Sequence, residues 1–241
     1  MRESVYGVNS DIDFVIIWVD GNDPAWQAEK VNYTQEYKER TNDPIFEKWC
    51  DNPMRYRDWD NLQYWFRGVE KFAPWVHHIY FVTWGHLPPW LNTDHPKLTV
   101  VKHEDFIPKQ YLPTFQANPI EDNLHRIPGL SEQFVYFNDD MFIVKKMKPT
   151  DFFYKGLPCD CAILEAAKSD RYGTHCEINS AEIINDHFDK QICMRKNWSK
   201  WINPKYSKEL VRTLLLLPWK HFSCLYQHHL PSSMLKATYE K

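Results

Sequence analysis

Apolar residues fall along this chain in two rhythms. Asp13 to Asp20 (DFVIIWVD), Ile79 to Thr83 (IYFVT), Leu98 to Val101 (LTVV) and Phe134 to Phe137 (FVYF) are runs without a polar alternation. Such runs read as strands, the first and the fourth of them buried on both faces. Between them, Leu62, Trp65, Phe66, Val69 and Phe72 recur on one face of a helix that Asp60 opens and Pro74 ends. Asn118-Pro119 marks a second helix start, an N-cap followed by proline, with Ile120, Leu124 and Ile127 on one side and Pro128-Gly129 as its close. Gly21-Asn22-Asp23-Pro24 reads as a turn, and the polar stretch Gln27 to Asp43 as a solvated helix or loop.

Strands alternating with helices imply βαβ units, hence an α/β fold with a mostly parallel, Rossmann-like or GT-A-like sheet flanked by helices. After Asp151 the texture changes. Ser180–Phe188, Ser207–Leu217 (Ser207 as cap, Pro218 as stop) and Ser232–Lys241 all read as helical. The expected division is an α/β core over residues 1–155 and a smaller, mostly helical part over 156–241. The last run stops without a cap, which reads as an incomplete chain.

Two of the apolar runs end on acid. The first delivers Asp20, and the fourth stops on Asn138-Asp139-Asp140 before apolar sequence resumes. Carboxylates beside a core are costly unless paired, and oxygen ligands of this kind suit Mg²⁺ or Mn²⁺ bridging to substrate phosphates. A plain Asn-Asp turn between two hairpin strands is the other reading. In parallel sheets ligands bind beyond the carboxyl ends of the strands, which is where both acidic segments would lie. Asp13, at the opposite end of its strand, is expected to be structural. The chain has 7 glycines and neither GxGxxG nor a Walker loop, so phosphates would be held by a metal and by arginine or lysine.

Composition narrows the classes. A net charge of −3 leaves no footprint for nucleic acid. No run approaches the ~20 apolar residues of a membrane span, and Met1 to Ser10 lacks the apolar core of a signal peptide. Six scattered cysteines fit a reducing cytosol better than a disulfide framework, which makes the sequons at Asn32 and Asn197 chance matches. Cys159, Cys161, His175 and Cys176 match no standard zinc spacing. Aromatic residues reach 16%, with 11 tryptophans, a hint of carbohydrate.

Several segments together resemble the Stealth proteins, the capsular polysaccharide phosphotransferases related to the catalytic part of N-acetylglucosamine-1-phosphotransferase. The first region is similar over Ile12 to Pro24. The second is similar at Arg55-Tyr56-Arg57-Asp58, Ala73-Pro74-Trp75, Pro89-Trp90-Leu91-Asn92, Tyr111 to Phe115, Glu121 to Leu130 and Tyr136 to Phe142. A third is similar at Arg212 to Trp219 and on to His229-Leu230-Pro231. A fourth short region, which usually carries an active-site arginine, is missing, so the chain is read as truncated or lacking a catalytic part.

The resemblance implies transfer of a hexose-1-phosphate from a nucleotide-activated sugar of the UDP type to a hydroxyl of an acceptor glycan, in capsule or exopolysaccharide synthesis. It implies Asp139 and Asp140 as ligands of Mg²⁺ or Mn²⁺, with Asp20 and Asp140 taking part in catalysis. His229, which directly precedes Leu-Pro, becomes the general base, with His228 as its neighbouring alternative. Asn22, Arg57, Asn123, His125, Arg126 and Asn138 become substrate-binding residues. The expected place of work is the cytoplasmic face of the membrane, with peripheral association and no spanning segment. A GT-A type metal-dependent glycosyltransferase and an inactive sugar-binding relative are the alternatives.

Overall fold

A computed structural model describes residues 11–41, 51–167 and 174–240; Met1–Ser10, read above for a leader, and Cys50 lie outside them. The chain forms two compact units, residues 1–160 with 230–241, and residues 161–229.

The first unit is built on five strands: β1 Ile12–Ile17, β2 Ile79–Thr83, β3 Leu98–Lys102, β4 Gln133–Phe137 and, from the end of the chain, Ser232–Leu235. Their order is β3-β2-β1-β4 followed by the 232–235 strand. The first four are parallel, and the last runs antiparallel to β4, with Ser232 opposite Tyr136 and Leu235 opposite Gln133. The expected mostly parallel α/β sheet is what the chain forms.

Every residue of β1 and β4 is buried, because successive side chains enter cores on opposite faces. Phe14, Ile16, Phe81, Val135 and Phe137 point into one core with Leu62, Trp65 and Val69. Val15, Ile17, Val82, Phe134 and Tyr136 point into the other with Phe106, Ile120, Leu124 and Ile127.

The main helix between β1 and β2 runs Leu62–Phe72 and buries the face that its spacing predicts, with Phe66 and Phe72 packed partly buried against the same core. Asp60 does not open it: the N-cap position is Asn61, without a side-chain cap. Asp60 instead sits just outside at a positive φ of 52°. The helix near Asn118 begins earlier than the Asn-Pro pair suggests, spanning Ala117–Asn123, and a 3-10 turn over Leu124–Arg126 follows. Polar Gln27–Thr41 belongs to a helix, Pro24–Thr41, that buries only Trp26.

Asp13 is fully buried at the amino end of β1. Its carboxylate accepts from the Ser131 amide at 2.7 Å and meets His77 Nδ1 at 2.7 Å. This residue ties β1 to the segment entering β4, the structural role expected of it.

Two helical readings are corrected. Ser232–Leu235 is a strand, and only Lys236–Tyr239 is helical. The apolar alternation was too short to separate the two periods, and an open edge of β4 decided the outcome. Ser207 does not cap a helix; it has φ 49° inside the 3-10 segment Pro204–Glu209, and the α-helix runs Leu210–Leu216 from Glu209. The third helix is longer than read, Thr174–His187.

In the second unit, Leu164–Glu165 pairs with Cys224–Leu225, and Leu164, Met194 and Phe222 form a small core. Lys190 is buried there, donating to the carbonyls of Leu216 and Trp219 at 2.6 and 2.7 Å.

Candidate active site at the carboxyl edge of the sheet

The sheet turns back on itself between β1 and β4. From β1 the chain builds outward through β2 to β3, then returns to place β4 on the other flank of β1. In an open parallel sheet this reversal leaves a crevice beyond the carboxyl ends of the two strands, the usual ligand position. Ile16 is opposite Phe137, so Asp20 and Asp139 leave neighbouring strands at the same edge.

On the β1 side a tight turn fixes Asp20. Its carboxylate Oδ1 accepts from the Asn22 amide at 2.9 Å, its carbonyl from the Asp23 amide at 3.1 Å, and its own N–H donates to His86 Nε2 at 2.7 Å. Asp23 then caps the following helix by accepting from the Trp26 amide at 2.8 Å, with Pro24 as first helical residue, a combination favoured at helix starts. Asp58 accepts from the Trp18 indole at 3.1 Å and from the Asp60 amide at 2.8 Å. Asp20, Asn22, Asp58 and Asp60 line one cavity of about 250 Å³, walled by Trp18 and Trp90.

On the β4 side Phe137 leads into a turn closed by the Met141 amide on the Asn138 carbonyl at 3.1 Å. The turn is real, but no hairpin follows, since β4 has β1 and the 232–235 strand as its neighbours. Asn138 Oδ1 accepts from the Tyr136 hydroxyl at 2.5 Å, leaving Asp139 half-buried and Asp140 exposed at the tip. Negative charge is concentrated here. The Tyr136 phenol is pushed far above its usual range by burial, with Glu121, Asp139 and Asp140 adding to the shift. Burial, followed by Asp122, also raises the Glu121 carboxyl.

Asp139 lines a second cavity, of about 120 Å³, together with Trp18, Trp26, Arg55, Tyr56, His103, Thr114, Phe115 and Gln116. Trp18 is thus common to the two cavities. A longer groove of about 670 Å³ begins at Trp90 and runs past Phe66, Arg67, Glu70 and Lys97.

The other residues expected to bind substrate have these places. Arg57 lies exposed with its guanidinium 3.9 Å from the Trp59 ring centre. Asn123 donates its amide to the Pro119 carbonyl at 2.9 Å. His125 stacks on Tyr239 at 5.3 Å between ring centres, and Arg126 is exposed. Asn123, His125 and Arg126 line neither the Asp20 cavity nor the Asp139 cavity. His229 is exposed and belongs to the second unit.

His86 and His103 were not singled out from the sequence. His103 immediately follows β3, and His86 lies in the loop after β2, so the carboxyl-edge rule that selected Asp20 would also have selected them. His103 is 7% exposed, and burial, with a smaller contribution from His86, pushes its imidazole down to about 4. Burial also lowers His86, opposed by Asp23 and Asp20.

The description Stealth protein conserved region 1 matches residues 10–38, and conserved region 2 matches residues 55–159. A capsular polysaccharide phosphotransferase of Streptococcus pneumoniae is 44% identical over 95% of this chain and 66% of its own length. A receptor polysaccharide phosphotransferase of Streptococcus gordonii is 44% identical over 94% of this chain and 67% of its own. A capsular polysaccharide phosphotransferase of Streptococcus thermophilus is 45% identical over 85% of this chain and 83% of its own.

The chain belongs to the Stealth family.

Stealth region 1 contains β1 and the Asp20–Asp23 turn, and region 2 contains Asp58, β2, β3, β4 and the Asn138–Asp140 turn. The carboxyl edge is therefore made wholly from the matched regions, whereas His229 lies beyond them. The chain spans just under two thirds of the length of the Streptococcus pneumoniae relative.

A divalent ion fits this edge by its donor chemistry. Among the described residues no group of three histidine, cysteine, aspartate or glutamate side chains stands ready to enclose a metal. Mg²⁺ does not need such a cage, because it commonly takes one or two carboxylates and completes its shell with water and substrate phosphates.

Proposed function

We propose that this Stealth chain transfers a sugar-1-phosphate from a nucleotide-activated sugar of the UDP type to a hydroxyl of an acceptor glycan in polysaccharide synthesis. The observation that carries the reading is the reversal between β1 and β4, with carboxylates from both strands at the crevice it opens. The names of the relatives support the reaction class.

In this reaction the acceptor oxygen bonds to the sugar-bearing phosphorus, and the bond from that phosphorus to the bridging oxygen breaks. A nucleoside monophosphate leaves. Mg²⁺ or Mn²⁺ held by Asp139 and Asp140 would supply charge neutralisation on the pyrophosphate. Asp20, fixed by its turn and by His86, lines the adjoining cavity, and Asn22 and Asn138 frame the two turns. His229 takes the proton of the acceptor hydroxyl, a role that typically contributes ~10²–10⁴-fold in rate. Arg57 and Arg126 offer exposed guanidinium groups to phosphate, and Asn123 and His125 offer polar groups to the donor. Trp90, shared by the acid-lined cavity and the long groove, gives an acceptor sugar an aromatic face.

No helix among the described residues is long and apolar enough to cross a membrane. Work at the cytoplasmic face, with peripheral association only, is the location proposed.

Nucleotide analysis of a single turnover tests the reaction. A nucleoside monophosphate is expected; a nucleoside diphosphate would mean that the glycosidic bond had been broken instead, and the chain would be a glycosyltransferase.

A further inference from the structure

The helix Leu210–Leu216 of the second unit presents apolar residues on two opposite sides. Its inward side is settled. Thr213 is fully buried, its hydroxyl accepting from the Leu164 amide at 3.1 Å, and Leu216 and Leu217 pack on the small core. The outward side of such a helix is ordinarily polar. Here Val211, Leu214 and Leu215, at i, i+3 and i+4, are exposed instead, Leu215 by 70%, and Trp219 just beyond them by 59%.

Positive charge gathers around this stripe. Residues 190–220 hold eight lysines and arginines against one acid, Glu209, in a chain whose net charge is −3. Lys190 is buried, and Arg212 pairs with Glu165 and Glu209. The other six, Arg195, Lys196, Lys200, Lys205, Lys208 and Lys220, are exposed. Lys208 precedes the stripe by about one turn, and Lys220 follows Trp219 directly. Gln191 brings Arg195 to the same end: its side chain donates to the Trp219 carbonyl, and its own carbonyl accepts from Arg195 Nε, each at 3.4 Å.

Leucine and tryptophan ringed by lysine suit the boundary between water and an anionic bilayer. Apolar side chains enter the acyl margin, tryptophan settles at headgroup level, and long lysine stems reach back to phosphate. The core of a protein–protein contact, by contrast, is depleted in lysine. We infer that the face from Val211 to Trp219 docks on a lipid bilayer with anionic headgroups. The inference rests on the peripheral location proposed above and adds the surface responsible; the transfer reaction does not depend on it.

Sedimentation of the full chain with vesicles of phosphatidylcholine, alone or mixed in equal parts with phosphatidylglycerol, tests it. The wild type is expected to bind the anionic vesicles, to leave the neutral ones unbound, and to be released by high salt. Leu215→Glu should weaken anionic binding by about tenfold or more, and so should the combined Lys205→Gln, Lys208→Gln and Lys220→Gln. Ile183→Glu removes another exposed apolar residue of the same unit, from a helix bearing Glu177, Glu182 and Asp186, and should bind as the wild type does. Circular dichroism melting confirms that each variant is folded.

Wild-type binding by both the Leu215 and the lysine variants would overturn the inference and leave the peripheral location standing. So would a dimer, seen by light scattering, that Leu215→Glu splits without loss of vesicle binding; the face would then belong to a second copy of the chain. Failure of the wild type to bind anionic vesicles would overturn the surface and the location together, while release of a nucleoside monophosphate would still uphold the transfer.

Discussion

At the residue scale, the edge depends on side chains whose burial and partners differ sharply. Asp140 is exposed at the tip of its turn, so its removal should cost stability little, within about 0.5 kcal/mol. Asp140→Ala is expected to lower transfer by at least ~10²-fold, the scale of losing one charge-stabilising group. Activity at saturating Mg²⁺, read beside a melting curve, checks both halves of the statement.

Gly21 acts differently. A Cβ built there would lie 1.9 Å from the Tyr56 carbonyl oxygen, so the Asp20 turn and the Arg55–Tyr56 segment pack backbone to backbone. Gly21→Ala must push them apart, at a cost of about 1–3 kcal/mol or more, measurable by urea denaturation together with weaker nucleotide binding.

His103 makes stability depend on pH. Its pKa falls from 6.5 to about 4 on folding, so between those values the unfolded chain binds the extra proton. The contribution is fully present above pH 6.5 and is lost as pH falls toward 4, about 3 kcal/mol in all. Unfolding free energies at pH 7.5 and 4.5 should therefore differ less in His103→Gln than in the wild type, where His78, His86 and His125 shift in the same direction.

At the scale of elements, β1, β2 and β4 were legible because burial on both faces leaves runs with no polar interruption, whereas β3 is an edge strand with Thr99 exposed. Phe14, Val15 and Ile16 alternate between two cores, yet all three must be apolar. The Leu62–Phe72 helix was legible for the complementary reason, a single apolar stripe. Ser232–Leu235 was not, because Ser232, Ser233 and Met234 are only half-buried and lie on an edge, where period-two patterning is weak. Long-range pairing with β4 overrides local preference there. Leu235 nevertheless enters the main core at 8% exposure. Leu235→Ala should cost about 2–4 kcal/mol, seen as a lower denaturation midpoint with unchanged slope; a change below about 0.5 kcal/mol would mean that the strand contributes only its backbone.

At the scale of the molecule, the sequence pointed to the acids of the edge because a buried strand that stops on carboxylates is conspicuous. It did not point to the imidazoles at the same edge, since a lone histidine after LTVVK carries no pattern until the strand order is known. Nor did it show that Asp20 and Asp139 would line separate cavities sharing Trp18, which depends on how Asp58 and His86 hold the first turn. His229, the base proposed above, belongs to the second unit and lies beyond the matched regions. His229→Ala should reduce turnover by ~10²-fold or more while donor affinity by calorimetry stays within twofold. Unchanged turnover would move the role to His228 or another group.

The 232–235 strand has a consequence during synthesis. The flank of β4 waits for a partner made about a hundred residues later, so a ribosome-bound chain carries an unclosed sheet throughout that interval. An exposed strand margin of that kind invites pairing with the wrong neighbour. Nascent chains arrested before Ser232 should accordingly be cut more readily by protease than chains arrested after Tyr239 has emerged, and maturation of the edge would be coupled to the arrival of the 232–235 strand.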